Sequence, residues 1–323
     1  MELSRRHFNI SALTASFGAI SGSALAQGYP TKPITLIVPF PAGGATDTLA
    51  RVIVDAVRPK LNGNLIIENK PGANTQIGVQ AALAAPADGY TLYMGGGGTG
   101  ILGIVNPSFT TDLRKELVGV AGVGQSFTLI CVTAKLPVKS LDEFVKYAKA
   151  NPGVLNYGIH SGSDLLANNA FVKALGIKVT NVRYGGSAPV KAGILRGDIH
   201  YSVFFPGDIA PHLESGAVRA IAITGSQRDS EFPDLPSIAE YAKTDVAYAP
   251  WAGIFAKVGT PRSAVEHISK YVAEALNDPQ VQAKIKLAGY KPLKRNLDEL
   301  SKYWVDDVNY WTRVAKETGF KPE

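Results

Sequence analysis

The chain has 323 residues, with 33 Lys and Arg against 27 Asp and Glu, for a net charge of +6. That length builds one large domain or two lobes around a real hydrophobic core. The positive residues are scattered rather than grouped, which excludes the usual footprint of a nucleic-acid-binding protein, and a single cysteine excludes an internal disulfide.

The chain opens with the pattern of an export signal. Arg5 and Arg6 make a positive start, residues 8–20 are uncharged and mostly apolar or small, and Ala24-Leu25-Ala26 is a small-residue cleavage pattern before Gln27. Ser4-Arg5-Arg6-His7-Phe8 also fits a twin-arginine signal, which carries folded cargo; an ordinary secretory start with two adjacent arginines fits the same residues. Residues 1–26 are set aside from the fold. No later apolar stretch is long enough to span a bilayer.

Residues 34–40 form an Ile-, Val- and Leu-rich strand that stops at Pro41-Ala42-Gly43-Gly44. Residues 47–61 follow, with Leu49, Val52, Ile53, Ala56 and Val57 at helical spacing. A strand at 65–68, a helix at 76–84 and a strand at 90–94 complete a β-α-β-α-β order. This order predicts a mostly parallel sheet covered by helices on both faces. Residues 127–133 read as a longer strand, in which Cys131 is a buried small hydrophobe. Ser140 and Glu143 have the spacing of a capping box.

Strands at 155–158, 179–184, 200–205 and 218–224 then alternate with helices at 165–175 and 187–195. Thr260 and Pro261 mark a helix start, with Thr as cap, and Asn296 with Glu299 marks another. The tail 297–318 is helical, with Trp304 and Trp311 on one face. No flexible linker divides the chain. Two lobes joined by crossing strands are therefore expected: residues 27–127 with 253–323, and residues 128–252, with crossings near 127–133 and 248–255.

The chemistry sits in loops that follow strands. The first runs Pro39-Phe40-Pro41-Ala42-Gly43-Gly44-Ala45-Thr46-Asp47. Its glycines expose backbone N–H groups to an anion at a helix start, with Thr46 or Asp47 as cap; a tight turn without a ligand explains the same residues. It lacks Gly-Lys-Ser/Thr, so it is not a nucleotide phosphate loop. The second, residues 95–100, meets a dinucleotide glycine pattern only as a glycine run, and no acid follows at the required distance. No cofactor is expected there, and Gly97 and Gly98 read as a bare ligand wall.

The third loop, His160-Ser161-Gly162-Ser163-Asp164, lacks the Ser-centred elbow of a hydrolase. It offers hydroxyl and N–H donors at a helix start, which suits either a carboxylate ligand or a plain cap. In the fourth, Tyr184-Gly185-Gly186-Ser187-Ala188-Pro189, Ser187 is a natural cap. The fifth, Phe204-Phe205-Pro206-Gly207-Asp208, sets two aromatics and an acid at a strand end, where pocket walls and core packing both fit. The 5 histidines are far apart and without metal-binding spacing, so no metal is expected. In open α/β sheets ligands collect at the carboxyl ends of strands. Two such edges facing each other make a cleft that closes by a hinge.

Further segments complete a recognisable order. They are Tyr29-Pro30-Thr31-Lys32-Pro33-Ile34, Glu68-Asn69-Lys70-Pro71-Gly72-Ala73 and Ala87-Asp88-Gly89-Tyr90-Thr91-Leu92, then Phe232-Pro233-Asp234-Leu235-Pro236-Ser237 and Gly259-Thr260-Pro261. With the first and fourth loops, they make the chain resemble the periplasmic solute receptors of tripartite tricarboxylate transporters, also called Bug receptors, over essentially its whole length after residue 26.

The resemblance implies an α/β, two-lobed fold like the type II periplasmic binding proteins, with mixed sheets flanked by helices and a ligand cleft between the lobes. It implies a periplasmic, monomeric receptor rather than an enzyme, without a cofactor, that passes a small carboxylate to membrane transporter subunits. In such a receptor Phe40, Pro41, Ala42, Gly43, Gly44 and Thr46 hold a carboxylate, largely through backbone groups and ordered waters. Thr75, His160, Ser161, Ser163, Ser187 and Asp208 add contacts. Gly97, Gly98, Gln125 and Phe205 complete the expected site.

Asn74-Thr75 departs from the family where Gly-rich residues are common, residues 160–165 form a shortened loop, and Gly95–Gly98 is unusually bare. These departures lie in ligand loops, so the ligand is not copied from a relative. Aromatic candidates at Phe40, Phe127, Tyr184, Phe204, Phe205 and Trp251 favour an aromatic acid, terephthalate in particular, over an aliphatic di- or tricarboxylate. The lack of clustered arginines speaks against a highly charged tricarboxylate. The alternatives are an exported hydrolase using Ser161 or Ser163, and a ligand carrier for a signalling receptor.

Overall fold

The computed structural model describes residues 28–61, 65–184 and 186–322; the export-signal reading of residues 1–26 lies outside them, as does Gly185. The first part of the chain gives β1 (Ile34–Val38), α1 (Ala45–Val57), β2 (Leu65–Asn69), α2 (Gln76–Ala84), β3 (Thr91–Gly96), α3 (Gly97–Gly100), α4 (Leu102–Val105), α5 (Leu113–Glu116) and β4 (Leu117–Gln125). After a crossing come β5 (Leu129–Thr133), α6 (Leu141–Ala150), β6 (Asn156–Ile159), α7 (Gly162–Leu175) and β7 (Thr180–Arg183). They are followed by α8 (Ser187–Arg196), β8 (Tyr201–Phe204), α9 (Pro206–Glu214), β9 (Val218–Ile223) and α10 (Ile238–Ala242). The chain then returns with β10 (Trp251–Lys257), α11 (Arg262–Asn277), α12 (Pro279–Leu287), β11 (Lys291–Pro292) and α13 (Leu297–Thr318).

Among the described residues there are two sheets, ordered β11-β4-β10-β3-β1-β2 and β7-β6-β8-β5-β9. The first is mixed rather than mostly parallel. β1 runs parallel to β2 and β3, whereas β10 is antiparallel to both β3 and β4. In the second, β6 is parallel to β7 and β8, and β5 is antiparallel to β8 and β9. The strands are apolar on both sides because helices cover both faces. One face of the first sheet buries Leu36, Met94 and Val123 against Leu49 and Ile53 of α1 and Ile268 of α11. The other buries Ile37, Tyr93 and Phe255 against Leu300 and Trp304 of α13.

β4 is the element the sequence pattern hides. Its apolar residues are interrupted by Gly119, Gly122 and Gly124, which are required by close approach. A Cβ at Gly122 would lie 2.5 Å from the carbonyl oxygen of Leu293, and one at Gly119 would lie 2.9 Å from the amide of Ser301. The strand expected at 127–133 is shorter, because Ser126–Thr128 form the crossing. There the Ser126 amide donates to Pro250 O at 2.7 Å, and the Thr224 hydroxyl donates to Tyr248 O at 2.7 Å.

Caps follow the expected chemistry in part. Ser140 accepts from the Glu143 amide at 3.2 Å, and Glu143 reaches back to the Lys139 amide at 2.6 Å. Asn296 and Glu299 form a full capping box. Thr260 does not cap α11: Pro261 occupies the cap position, and the Thr260 hydroxyl donates backward to Lys257 O at 2.8 Å. Cys131 is fully buried in β5, and burial pushes its thiol up, so it is inert rather than reactive.

α13 serves both cores. Leu300, Trp304 and Val308 pack on the first sheet, while Trp311 and Val314 belong to the core of the second. Trp304→Ala is expected to cost about 3–5 kcal/mol, read as a lower midpoint in thermal or urea unfolding. Leu287→Ala, at a position 88% exposed, is expected to leave that midpoint unchanged within error.

Candidate ligand cleft

Because β1, β2 and β3 are parallel, the segments entering α1, α2 and α3 leave the first sheet at one edge. The same holds for β6, β7 and β8 and the starts of α7, α8 and α9. The two edges meet. A Cβ at Gly98 would lie 3.3 Å from Ser163 Oγ, and one at Gly162 would lie 2.7 Å from Val105. The Phe205 and Tyr290 rings come within 6.0 Å between centroids.

The first loop is organised by a buried acid. Asp47 is 0% exposed and accepts from the Gly43 amide at 2.8 Å, Arg51 Nε at 2.8 Å and Asn69 Nδ2 at 2.8 Å. Burial alone would raise its pKa; the bonds from Arg51, Asn69 and Gly43, with the Arg51 charge, outweigh burial and hold it below the ordinary value. Neither Thr46 nor Asp47 caps α1 as expected. Gly44 holds the cap position without a side-chain bond, and Gly43 supplies the left-handed turn at φ +81°. Helical geometry leaves the amides of Ala45, Thr46 and Asp47 without an acceptor in the preceding turn. Phe40, Pro41, Ala42 and Gly43 stand exposed in front of them.

The Thr46 hydroxyl is 3.2 Å from the Tyr290 hydroxyl, which places Thr46, Tyr290 and Phe205 in one contact chain across the edges. Burial pushes the Tyr290 phenol up, the Thr46 bond opposes this, and the nearby Asp208 carboxylate adds to it. Asp208 is exposed, and its carbonyl accepts from Lys191 Nζ of α8 at 3.1 Å.

In the third loop Asp164 is 1% exposed and is held by its own neighbours. It accepts from the His160 amide at 3.0 Å, the Ser161 amide at 2.7 Å and the Ser161 hydroxyl at 2.8 Å. Ser161 therefore caps α7 in a full box. His160 Nε2 lies 3.3 Å from Asp164 Oδ2 and 3.3 Å from Val203 O. The Ser161 hydroxyl is given to the acid, so the group lacks the serine-to-base bond that a nucleophile needs. Ser163, in contrast, turns to Gly98 and hydrogen-bonds Tyr248.

The remaining expected positions divide. Thr75 is buried with its hydroxyl unpartnered, and Ala73, Asn74 and Thr75 carry φ of 46°, 52° and 78°. That backbone suits glycine, so three side chains here store strain. Gln125 turns to the Tyr303 hydroxyl at 3.4 Å. Ser187 is the first residue of α8 rather than its cap, which is Gly186. Phe204 is 2% exposed and Phe127 packs on Phe232, so these two are core residues rather than walls. Trp251 is 5% exposed. No local sequence pattern marks Tyr248, expected only as part of a crossing, or Tyr290 as a cleft residue. The sequence carried a signal for Asp307, an acid set in the apolar stripe of Trp304, Val308 and Trp311.

Among the described residues no group of His, Cys, Asp and Glu is arranged to hold a metal, and no helix is long and apolar enough to cross a membrane. The family model described as tripartite tricarboxylate transporter family receptor matches residues 49–320. Protein BugT of Bordetella pertussis is 30% identical over 306 residues, 94% of each chain. A solved periplasmic transporter superposes with a TM-score of 0.81 at 29% identity, covering 92% of this chain and 100% of its own. An R. palustris protein solved with adipate superposes with a TM-score of 0.79 at 29% identity, covering 90% and 98%.

Asp47 holds its proton less tightly in the folded chain than in the unfolded one. Its contribution is therefore complete above the ordinary value of 3.8 and is lost as pH falls through the lower folded-state value. Asp47→Asn is expected to cost about 1–3 kcal/mol at neutral pH. It should also flatten the acid limb of the stability curve, measured as unfolding midpoint against pH.

Proposed function

The chain belongs to the tripartite tricarboxylate transporter receptor family and is a solute-binding receptor rather than an enzyme; from that premise we propose that it captures a small organic acid in the cleft and delivers it to membrane transporter subunits. The observation that carries this reading is the first loop. Asp47 is consumed internally in fixing the turn, and the exposed backbone from Gly43 into α1 offers N–H donors at a positive helix end. Such an arrangement suits a carboxylate. Ser163 and the start of α7 supply a second donor set from the opposing edge.

The bodies proposed to close are residues 27–127 with 253–323 and residues 128–252, hinged where Ser126 meets Pro250. For the ligand, Phe205, Tyr290 and the exposed Phe40 support a flat aromatic acid, with terephthalate as the specific candidate. An aliphatic dicarboxylate, the class to which the adipate of the R. palustris relative belongs, is the runner-up. Export to the periplasm completes the reading.

The test is thermal unfolding of the protein against mono-, di- and tricarboxylates, including benzoate, terephthalate and adipate. A ligand present at about 100 times its Kd adds about 2.7 kcal/mol to stability, so the right acid raises the midpoint in a concentration-dependent way and is recovered unchanged. No shift with any acid at millimolar concentration sinks the carboxylate assignment. Ser161→Ala is expected to destabilise the fold through its lost cap, by about 1 kcal/mol, read as a lower midpoint, while the bound acid is still recovered unchanged.

A further inference from the structure

The end of α12 and the start of β11 each carry a lysine, and both reach residues that follow β9, in the other body of the division proposed above. Lys286 Nζ lies 2.8 Å from Glu231 Oε1, and Lys291 pairs with Asp229. Gly289 and Tyr290 stand between the two lysines. The Gly289 carbonyl accepts the Ser126 hydroxyl of the crossing, while Tyr290 meets Thr46 on one side and Phe205 on the other. The short stretch 286–291 of the first body therefore touches the crossing and two separate segments of the second.

Asp229 is the least exposed of these charges. Its side chain is 10% exposed, whereas those of Lys286, Lys291 and Glu231 stand in water. A carboxylate so far out of water needs donors or a cation close by. Its own body supplies the Glu231 amide at 3.0 Å. The cation next to it in the chain, Arg228, is turned away: it grips Glu240 at 2.8 and 2.9 Å and the Pro233 carbonyl at 3.1 Å. The positive charge that Asp229 receives comes from Lys291 of the other body, and Lys286 lies within its field as well. Lys291 also faces the Phe127 ring of the crossing at 5.8 Å. Phe127 packs on Phe232, whose amide donates to the Asp229 carbonyl at 3.0 Å, so that acid and cation are fixed to one cluster.

If the bodies part at this flank, Asp229 is left without its cation, and Lys286 and Glu231 return to water. We propose that Lys286 and Lys291, with Glu231 and Asp229, form an ionic clasp that draws the two bodies together before any ligand is bound. An exposed ion pair contributes little to stability, yet a balance between two states a few kcal/mol apart or less is moved by such small terms. Most of the charges are exposed, so the clasp weakens as salt screens them. Tyr290, between the lysines, puts the clasp on the contact chain from Thr46 in the first loop to Phe205. Closing it sets that loop against the opposing edge. The inference rests on the two-body reading above and goes beyond it, since it gives closure a component that needs no ligand.

The test places spin labels at Val154→Cys and Val258→Cys, exposed positions with one on each body, and measures their separation by pulsed electron resonance without ligand; Cys131 is fully buried and stays unlabelled. Raising salt from about 0.01 M to about 1 M shortens the screening length from about 30 Å to about 3 Å. In the wild-type background this is expected to move the distance distribution toward a second, parted population. Lys286→Glu and Lys291→Glu are each expected to produce the same shift at low salt, changing the ratio of the two populations about two- to fivefold. The charge swaps, Lys286→Glu with Glu231→Lys and Lys291→Glu with Asp229→Lys, are expected to restore the wild-type ratio. Lys286 and Glu231 are both exposed, so their variants keep the fold even where Asp229→Lys does not, and a thermal scan of each variant checks this. A distribution that ignores salt and both lysine reversals overturns the proposal. So does a Lys286→Glu shift that Glu231→Lys fails to reverse. Either result leaves the receptor reading standing, because that reading is decided by the acid panel.

Discussion

Ser126 gives its amide to the carbonyl of Pro250 at 2.7 Å and its hydroxyl to the carbonyl of Gly289 at 2.6 Å. The outgoing and returning crossings are thus bonded to each other, and both to the turn before β11. Much of the arrangement depends on this join. It sets the loop-bearing edge of one sheet against that of the other, and it places Tyr290, next to Gly289, between Thr46 and Phe205. Backbone groups at a crossing lie outside both ladders and must find partners of their own. Here they find each other, and the two crossings and the turn before β11 become one hydrogen-bonded unit.

Two buried acids beside the cleft, Asp47 and Asp164, and one half-buried, Asp307, show different solutions to one cost. A carboxylate taken from water needs compensation. Asp47 receives it from Arg51, Asn69 and the Gly43 amide, and in return fixes the first loop. Asp164 receives it from the amides of His160 and Ser161 and the Ser161 hydroxyl, and fixes the third. Asp307 has indole donors and no cation. The first two acids shape backbone that a ligand can meet. The third keeps partial access to water, and an indole is its main partner.

The alternation of strands and helices was legible because each element buries a face with its own period, as in residues 34–38 followed by Leu49, Ile53 and Val57. The loops were legible because Gly and Pro punctuate strand ends. β4 was not, since the glycines that admit Leu293 and Ser301 erase its pattern. Phe204 and Phe205 were read alike, yet the last strand residue points into the core while the next, at the cap of α9, reaches Tyr290. Thr46 and Tyr290 are 244 positions apart, and no local signal joins them. The acid within the stripe of α13 was visible, but its neighbours Gly97, at the start of α3, and Trp251, in β10, are brought to it only by the fold. At residues 73–75 the sequence showed a departure from glycine, and the positive φ values give it meaning.

The last helix anchors one tryptophan in each core. Trp304 and Trp311 stand about 10 Å apart along a rigid rod, each sealed among residues of a different sheet. Pulling the lobes straight apart would unseat one indole or the other. Because each indole projects sideways from the rod, turning either core about the helix axis would unseat it as well. The rod therefore acts as a shared strut: the two sheets hold one helix in common, and loss of either indole loosens the grip of one sheet on the other.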